Sequence, residues 1–267
     1  MEREFLKLAD RKTVILDAGH GGDDPGAVYY GRQEKVDNLN LALAVGDILA
    51  KNGVDVVYTR VNDTFQTPFE KAEIANRSGA DYFVSLHRNA MPVPGTASGA
   101  ETLVYSDADV PALMARNINR SLERAGFANL GVIERPGLVV LRKTQMPAVL
   151  VEVGFIDNEA DNRFFDQNFQ GITQAIATGI LETIHQEETA VPEYYQVQTG
   201  AFQNHEQAVQ QLNQLKSQDF PAFIIHGDGL HKVRVGAFLN VDNAARMEQR
   251  LRNQGYNTVM VRERAVY

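Results

Sequence analysis

The sequence predicts two domains. The first is an α/β domain with a mostly parallel sheet flanked by helices, and the second is a small α+β domain with a four-stranded antiparallel sheet. Up to about residue 185, short apolar runs rich in β-branched residues alternate with helical periodicity, which is typical of βαβ units. Beyond that point Gly200-Ala201-Phe202 recurs as Gly236-Ala237-Phe238, an internal repeat with an offset of 36 residues. We place the domains at 1–185 and 194–267, with a polar linker at 186–193.

Each element of the first domain follows from an apolar pattern and the residues that interrupt it. The helix after Glu34 ends at Asn52-Gly53, which is a typical C-cap, and two later helices stop at Gly79 and Gly126. The glycine-rich segment 19–31 is expected to be irregular. Strands are expected at 13–17, 54–58, 82–87, 101–105, 138–141 and 148–152, and helices at 34–51, 67–77, 110–125, 158–165 and 169–185.

The composition excludes several classes of protein. The 267 residues are 44% hydrophobic and 22% charged, as is usual for a globular protein. The net charge of −8 argues against a general nucleic-acid binder. Cysteine is absent, so a metal site must use histidine and carboxylate ligands, which favours zinc or a similar cation.

The sequence also bears on localisation. No stretch approaches the roughly 20 apolar residues that span a bilayer. The N-terminus has no apolar run of signal-peptide length. We therefore expect no membrane span, and either a secreted mature form or a protein that stays in the cytoplasm until lysis.

Four chemically active side chains stand at the ends of predicted elements. His20, His87 and Glu152 follow or end apolar strands, and Glu34 opens a helix. In a parallel sheet such strand ends gather at one edge, where active sites form. Two imidazoles and one carboxylate make a three-ligand zinc site with an open fourth position. This pattern leaves open which of Glu34 and Glu152 is the ligand and which is the base.

The chemistry predicted for such a site is metal-assisted hydrolysis of an amide or ester. Zinc lowers the pKa of bound water to about 7 and polarises a carbonyl group. A carboxylate that is close by but is not a ligand can take the proton of that water and pass it to a leaving amine. The apolar run before Glu152 indicates partial burial, which raises a carboxyl pKa toward that role.

Four motifs carry a resemblance to a known family. They are LDAGHGGDDPGA around His20, QEK around Glu34, SLHRNA around His87 and VEVGFI around Glu152. Over about residues 13–185 the chain resembles the zinc-dependent N-acetylmuramoyl-L-alanine amidases of the Amidase_3 type. The resemblance implies that His20, Glu34 and His87 are zinc ligands and that Glu152 is the catalytic base. It further implies cleavage of the amide between N-acetylmuramic acid and L-alanine of the stem peptide, at the bacterial cell wall.

Three further residues of the first domain are candidates for roles at this site. Arg88 and Asn89 adjoin a ligand, and we expect them to contact substrate; the alternative for Arg88 is that it pairs with a local carboxylate. Asp17 is expected to orient His20 through the second ring nitrogen. Some members of this family carry a long inhibitory helix after the second histidine motif, but the segment from Asn89 to Glu101 is too short for it. We therefore expect no obligatory activator protein.

The second domain is predicted to bind a polymer. Each repeat copy has a strand–helix–strand pattern, and two copies make a sheet with both helices on one face and the other face open. The tail is nearly neutral in charge, which suits an uncharged or mixed polymer better than nucleic acid. This segment resembles a SPOR domain, which implies binding of glycan strands stripped of stem peptides. The side chains expected on the open face are Gln196, Gln198, Lys232 and Arg234, or else their neighbours.

The sequence is also compatible with two functions other than that of an amidase. One is a non-catalytic peptidoglycan-binding protein with a vestigial metal site, and the other is a zinc peptidase acting on different amides. The biological role is also open among daughter-cell separation, spore mother-cell lysis and phage-type lysis.

Overall fold

The structure, a computed structural model, describes residues 11–189 and 193–264. The chain divides into two compact units between Glu188 and Thr189, and each unit is described by itself. Three residues of the predicted linker, 190–192, lie outside the described residues.

Strands and helices alternate along residues 11–189, as the sequence predicts. The strands are β1 (Thr13–Ala18), β2 (Val28–Tyr29), β3 (Arg32–Gln33), β4 (Asp55–Tyr58), β5 (Tyr82–Asn89), β6 (Ala100–Val104), β7 (Asn129–Glu134) and β8 (Ala148–Phe155). The helices are α1 (Glu34–Lys51), α2 (Pro68–Ser78), α3 (Asp109–Ala125), α4 (Val139–Lys143), α5 (Glu159–Gln167) and α6 (Phe169–Thr189).

Six of these strands form one mixed sheet in the order β4-β1-β5-β8-β6-β7. Strands β4, β1, β5 and β8 are parallel, whereas β6 runs antiparallel to β8 and β7 is parallel to β6. The mostly parallel sheet flanked by helices is therefore confirmed. Along β1, Val14 and Leu16 enter one apolar cluster and Ile15 the opposite one, so this strand is buried on both faces. Helices α1, α3 and α6 cover the first face, and α2 and α4 cover the second.

The structure differs from the prediction in four places. Residues 138–141 were expected to form a strand, but they lie at the start of the short helix α4. Strand β7 was not predicted, and two short strands, β2 and β3, form a hairpin at the end of the segment that was expected to be irregular. Helix α6 continues to Thr189, so the first four residues of the predicted linker are helical.

A buried ion pair lies at the end of β1. The Lys71 ammonium donates to Oδ1 of Asp17 at 2.6 Å and to the Ala18 carbonyl at 2.6 Å, and only 5% and 1% of the Lys71 and Asp17 side chains are exposed. Thr59 and Ser85 donate further hydrogen bonds to the same carboxylate, each at 2.6 Å. Burial raises the pKa of Asp17, but Lys71 and the two hydroxyls outweigh it and hold that pKa below its ordinary value.

The second unit is a four-stranded antiparallel sheet with two helices. Its strands are β9 (Glu193–Phe202), β10 (Ala222–Gly227), β11 (Leu230–Phe238) and β12 (Val259–Arg264), in the order β10-β11-β9-β12. Its helices are α7 (His205–Ser217) and α8 (Val241–Asn253), which begin at Asn204 and Asn240, two equivalent residues of the repeat whose side chains both cap the helix. Val197, Val233 and Leu215 belong to the core between sheet and helices.

The other face of this sheet carries the polar residues that the alternation predicts. Because Val197 and Val233 point into the core, Gln196, Gln198 and Lys232 point to the opposite face. Arg234 shares that face but is only 3% exposed, since Gln196 accepts a hydrogen bond from it at 2.9 Å and Glu263 pairs with it at 2.6 Å. Among the described residues, no helix is long and apolar enough to cross a membrane.

We predict that Lys71→Met lowers the free energy of unfolding by about 3–5 kcal/mol, because it leaves the buried Asp17 carboxylate without its counter-ion. Denaturant unfolding monitored by circular dichroism measures this loss. Arg163→Met is the control, since Arg163 pairs with Glu159 at 3.5 Å with both side chains at least 66% exposed. The control should cost less than about 1 kcal/mol. Equal losses in the two variants would contradict the structural role of the buried pair.

Candidate metal centre

His20 lies in the loop that follows β1. The amide of Gly19 donates to the Leu86 carbonyl at 3.0 Å, which brings the start of this loop against β5. His20 itself has a φ of 61°, a left-handed conformation that non-glycine residues adopt only where the surroundings hold it. Its Nδ1 lies 2.7 Å from Oδ2 of Asp24, so that carboxylate fixes the orientation of the ring.

Glu34 is the first residue of α1 and is largely buried, with 5% of its side chain exposed. Its carboxylate accepts hydrogen bonds from the Ala27 amide at 2.9 Å, the Arg88 amide at 3.1 Å and the Asn38 side chain at 3.1 Å. The N-terminus of a helix also favours a negative charge. These donors hold the two carboxylate oxygens in fixed positions.

The two histidines approach Glu34 from different elements. Nε2 of His20 lies 3.1 Å from Oε2 of Glu34, and Nδ1 of His87, on β5, lies 2.9 Å from Oε1. The imidazole centroids are 5.0 Å apart. Each of the three residues offers a donor atom within 4.8 Å of the other two, so together they could hold a metal ion.

The electrostatics of this group suit a cation. Burial raises the pKa of Glu34, but the two imidazoles outweigh it and hold that pKa far below its ordinary value. Burial lowers the pKa of His20, yet Glu34 and Asp24 outweigh it and raise that pKa to about 9. The site therefore favours a positive charge between the imidazoles of His20 and His87. A metal ion bound there would displace the proton from the ring nitrogen that it contacts.

Glu152 lies on β8, beside the three residues. It is the register partner of His87 on β5 and of Glu101 on β6. Its Oε2 is buried and has no hydrogen-bond partner among the described residues. Burial, with the charges of Glu34 and Glu101, raises the pKa of Glu152 to about 7, against an opposing effect of His87. A carboxylate with this pKa can exchange a proton near neutral pH.

Two glycines make room for the cluster. A Cβ at Gly19 would overlap the imidazole of His87. A Cβ at Gly26 would lie 2.6 Å from both Oε2 of Glu34 and Cδ2 of His20, and the φ of Gly26 is also left-handed at 65°. A side chain at either position would displace a member of the site.

In the structure, contrary to the expectation from the sequence, Asp17 does not orient His20. The Asp17 carboxylate is occupied by Lys71, Thr59 and Ser85, whereas His20 is oriented by Asp24. The signal that could have found Asp24 is its position four residues after His20 in a turn-forming Asp-Asp-Pro-Gly segment.

Arg88 is turned into the protein rather than toward a substrate. It is 2% exposed, pairs with Asp37 at 2.7 Å and donates to Asn162 at 2.8 Å. Its guanidinium also lies 4.1 Å from the centroid of the Phe165 ring. Of the two expectations for Arg88, the structure therefore shows the pairing with a local carboxylate. Asn89 is half-buried, and its side-chain amide donates to Glu101 at 2.9 Å.

Two family models match this chain. A family model for N-acetylmuramoyl-L-alanine amidases, Amidase_3, matches residues 14–182, a range that contains His20, Glu34, His87 and Glu152. The chain belongs to the Amidase_3 family. A second model, the SPOR domain, matches residues 191–262 of this amidase. The amidase hydrolyses peptidoglycan between N-acetylmuramic acid and L-alanine, acts at the cell wall and carries a SPOR domain that binds peptidoglycan.

Named relatives and solved structures support the assignment. The amidase is 33% identical over 221 residues to the sporulation-specific N-acetylmuramoyl-L-alanine amidase of Bacillus subtilis, covering 80% of this chain and 85% of that protein. An N-acetylmuramoyl-L-alanine amidase from Clostridium difficile 630 has a TM-score of 0.63 and 30% identity, over 67% of this chain and 99% of that one. The CwlD amidase from Clostridioides difficile, solved in complex with the GerS lipoprotein, has a TM-score of 0.60 and 32% identity, over 66% and 99%.

We predict that Gly19→Ala lowers the rate of peptidoglycan hydrolysis about 100-fold, because the added methyl group must displace His87. Release of stem peptides from purified sacculi measures the rate. Gly137→Ala is the control, since Gly137 has no heavy atom within 4 Å of its Cβ position and no positive φ. Wild-type rates in both variants would show that the site does not need this close packing.

Proposed function

We propose that the amidase is zinc-dependent, that His20, Glu34 and His87 are its zinc ligands, and that Glu152 is its catalytic base. The observation that carries the proposal is the convergence of three donor side chains beside the Glu152 carboxylate, whose buried Oε2 has no hydrogen-bond partner in the part of the chain that the structure describes. Two imidazoles and one carboxylate suit zinc and leave a fourth position for water. Zinc, when bound, lowers the pKa of that water and polarises the scissile carbonyl group.

Each of four other roles in the proposed reaction belongs to a different side chain. Asp24 accepts the hydrogen bond from Nδ1 of His20, which leaves Nε2 directed at Glu34 and available as a ligand atom. Glu34 stays ionised because of its neighbours. Glu152 takes a proton from the attacking water and delivers it to the amine of L-alanine as the amide bond breaks. Asn89, beside Glu101 at the end of β5, is the candidate for holding the substrate.

We further propose that the site needs no activator protein. Strand β5 ends at Asn89 and β6 begins at Ala100, and the described segment between them, 90–99, contains no helix that could cover the ligands. The CwlD relative was solved with a lipoprotein partner, so partner dependence has to be tested for this chain directly.

For the second unit, we propose that residues 194–267 bind glycan strands stripped of stem peptides. Gln196, Gln198 and Lys232 on the sheet face opposite the helices support this proposal, because hydrogen-bonding side chains suit a neutral polymer. Phe223 and Ile225, the cross-strand partners of Arg234 and Lys232, share that face. Residues 1–185 would then be the catalytic domain. Neither nucleic acid nor a membrane is proposed as a partner.

Digestion of purified sacculi tests the zinc mechanism. We expect the purified chain alone to release stem peptides that begin with L-alanine and to leave the glycan intact, with mass spectrometry identifying the products. A chelator should abolish release, and added Zn²⁺ should restore it. Binding to sacculi without cleavage, with or without metal, would instead support a non-catalytic wall-binding protein. Peptides cut at other amides would support a different peptidase. Cleavage only after a second protein is added would contradict activator independence.

We predict that Glu152→Gln lowers kcat by about 10²–10⁴-fold while the protein retains its zinc, because the variant lacks the base but keeps the ligands. For the wild type, the raised pKa of Glu152 means that its carboxyl group is protonated below about pH 7. Activity should therefore rise as the pH increases through 7. Rates on sacculi across pH, with zinc content by elemental analysis, measure both effects. Full activity of Glu152→Gln would assign the base to another group.

A further inference from the structure

The second unit contains a cluster of three histidines. His205 is the first residue of α7, His226 lies near the end of β10, and His231 lies near the start of β11. Their ring centroids are 4.6 Å apart for His226 and His231, 4.9 Å for His205 and His231, and 6.2 Å for His205 and His226. Half of the six histidines of the chain therefore meet at one corner of this unit.

The register of the sheet determines which face the cluster occupies. His226 and His231 are direct cross-strand partners, two residues beyond the pair formed by Ile224 and Val233. Because side chains alternate between faces, both imidazoles point to the helix-covered side, where His205 meets them. The cluster thus extends the apolar core at its edge and lies on the side opposite Gln196 and Lys232.

One ring of the cluster has an unused polar atom. Nδ1 of His231 is buried and has no hydrogen-bond partner among the described residues. Such an atom is costly unless it bonds to something. Burial, followed by the effect of the neighbouring imidazoles of His226 and His205, lowers the pKa of His231. His205 and His226 are exposed, so the corner is accessible from solvent.

We propose that His205, His226 and His231 form a second metal site, which takes zinc or a similar borderline divalent cation. Imidazole is a preferred ligand of these ions. As the rings are placed, the three residues do not offer ring nitrogens that all lie within 4.8 Å of one another, so binding one ion requires the rings to turn about χ1 or χ2. The cross-strand spacing of His226 and His231, with Cβ atoms about 4.5–5.5 Å apart, leaves both rings next to the same space. His205 adds a third ligand from the helix. An ion bound here would tie α7 to β10 and β11 and would give the buried Nδ1 a partner.

The internal repeat shows that the fold does not require imidazoles at this corner. In the other copy, the positions equivalent to His231, His226 and His205 hold Tyr195, Arg262 and Val241. Tyr195 and Arg262 are cross-strand partners as well, and the Arg262 guanidinium lies 5.7 Å from the Tyr195 ring centroid. The same backbone framework therefore packs with a tyrosine–arginine pair.

The equivalent residues of the other repeat copy define a variant that removes two of the three proposed ligands and is expected to keep the fold. We expect the double variant His226→Arg/His231→Tyr, made in the full chain, to bind one equivalent of Zn²⁺ fewer than the wild type. Calorimetric titration of chelator-treated protein measures the number of equivalents. The control His185→Gln removes a histidine outside both sites and should bind as the wild type does. Peptidoglycan hydrolysis should be unchanged in both variants.

The difference between the variant and the wild type counts the second site alone, so it is independent of whether the first site binds zinc. A second measurement uses the imidazole nitrogen signals in NMR spectra, where Zn²⁺ should perturb three histidines that are absent from the first site. Equal zinc equivalents in the variant and the wild type, or unperturbed signals of His205, His226 and His231, would overturn the proposal. Circular dichroism confirms that the variant is folded.

Discussion

The site depends on one buried carboxylate. A charge as enclosed as that of Glu34 is tolerated only when hydrogen bonds and opposite charge compensate for its desolvation. Two backbone amides, one side-chain amide and two imidazoles provide this compensation, and they come from the loop after β1, from α1 and from β5. The left-handed φ of His20 and the absence of a side chain at Gly19 and Gly26 are consequences, because the partners must come this close.

A second layer of buried charges holds those partners in position. On one side, Lys71 and Arg60 donate to the carbonyls of Ala18 and Gly19, which begin the loop that carries His20. On the other side, the Arg88 guanidinium reaches Asp37 of α1 and Asn162 of α5, and its backbone amide contacts Glu34. These cations are buried, and they fix the backbone from which His20, Glu34 and His87 project.

The sequence predicted the parts of the structure that depend on local pattern. Apolar runs that end at His20 and His87, and a helix that opens at Glu34, were enough to predict that these three side chains come together, since parallel strands share an edge. Long-range pairs such as Asp17 with Lys71 leave no periodic signal, so the choice of Asp24 over Asp17 as the partner of His20 was missed. The run at 138–141 is too short for its period to separate a strand from a helix, and β7, at an exposed edge, lacks the apolar content of a buried strand.

The largely exposed segment 90–99 affects how a strand of cross-linked peptidoglycan can reach the site. Residues 91–96 are exposed, and 26% of the His20 side chain and 17% of the His87 side chain remain accessible. The described segment 90–99 contains no helix that could lie over His20, Glu34 and His87, so under the proposed function a strand would be engaged sideways, at an interior sugar. Cross-linked walls offer few free ends. Cleavage would therefore be spread along the strands, and the wall would lose its cross-bridges while its glycan strands kept their length.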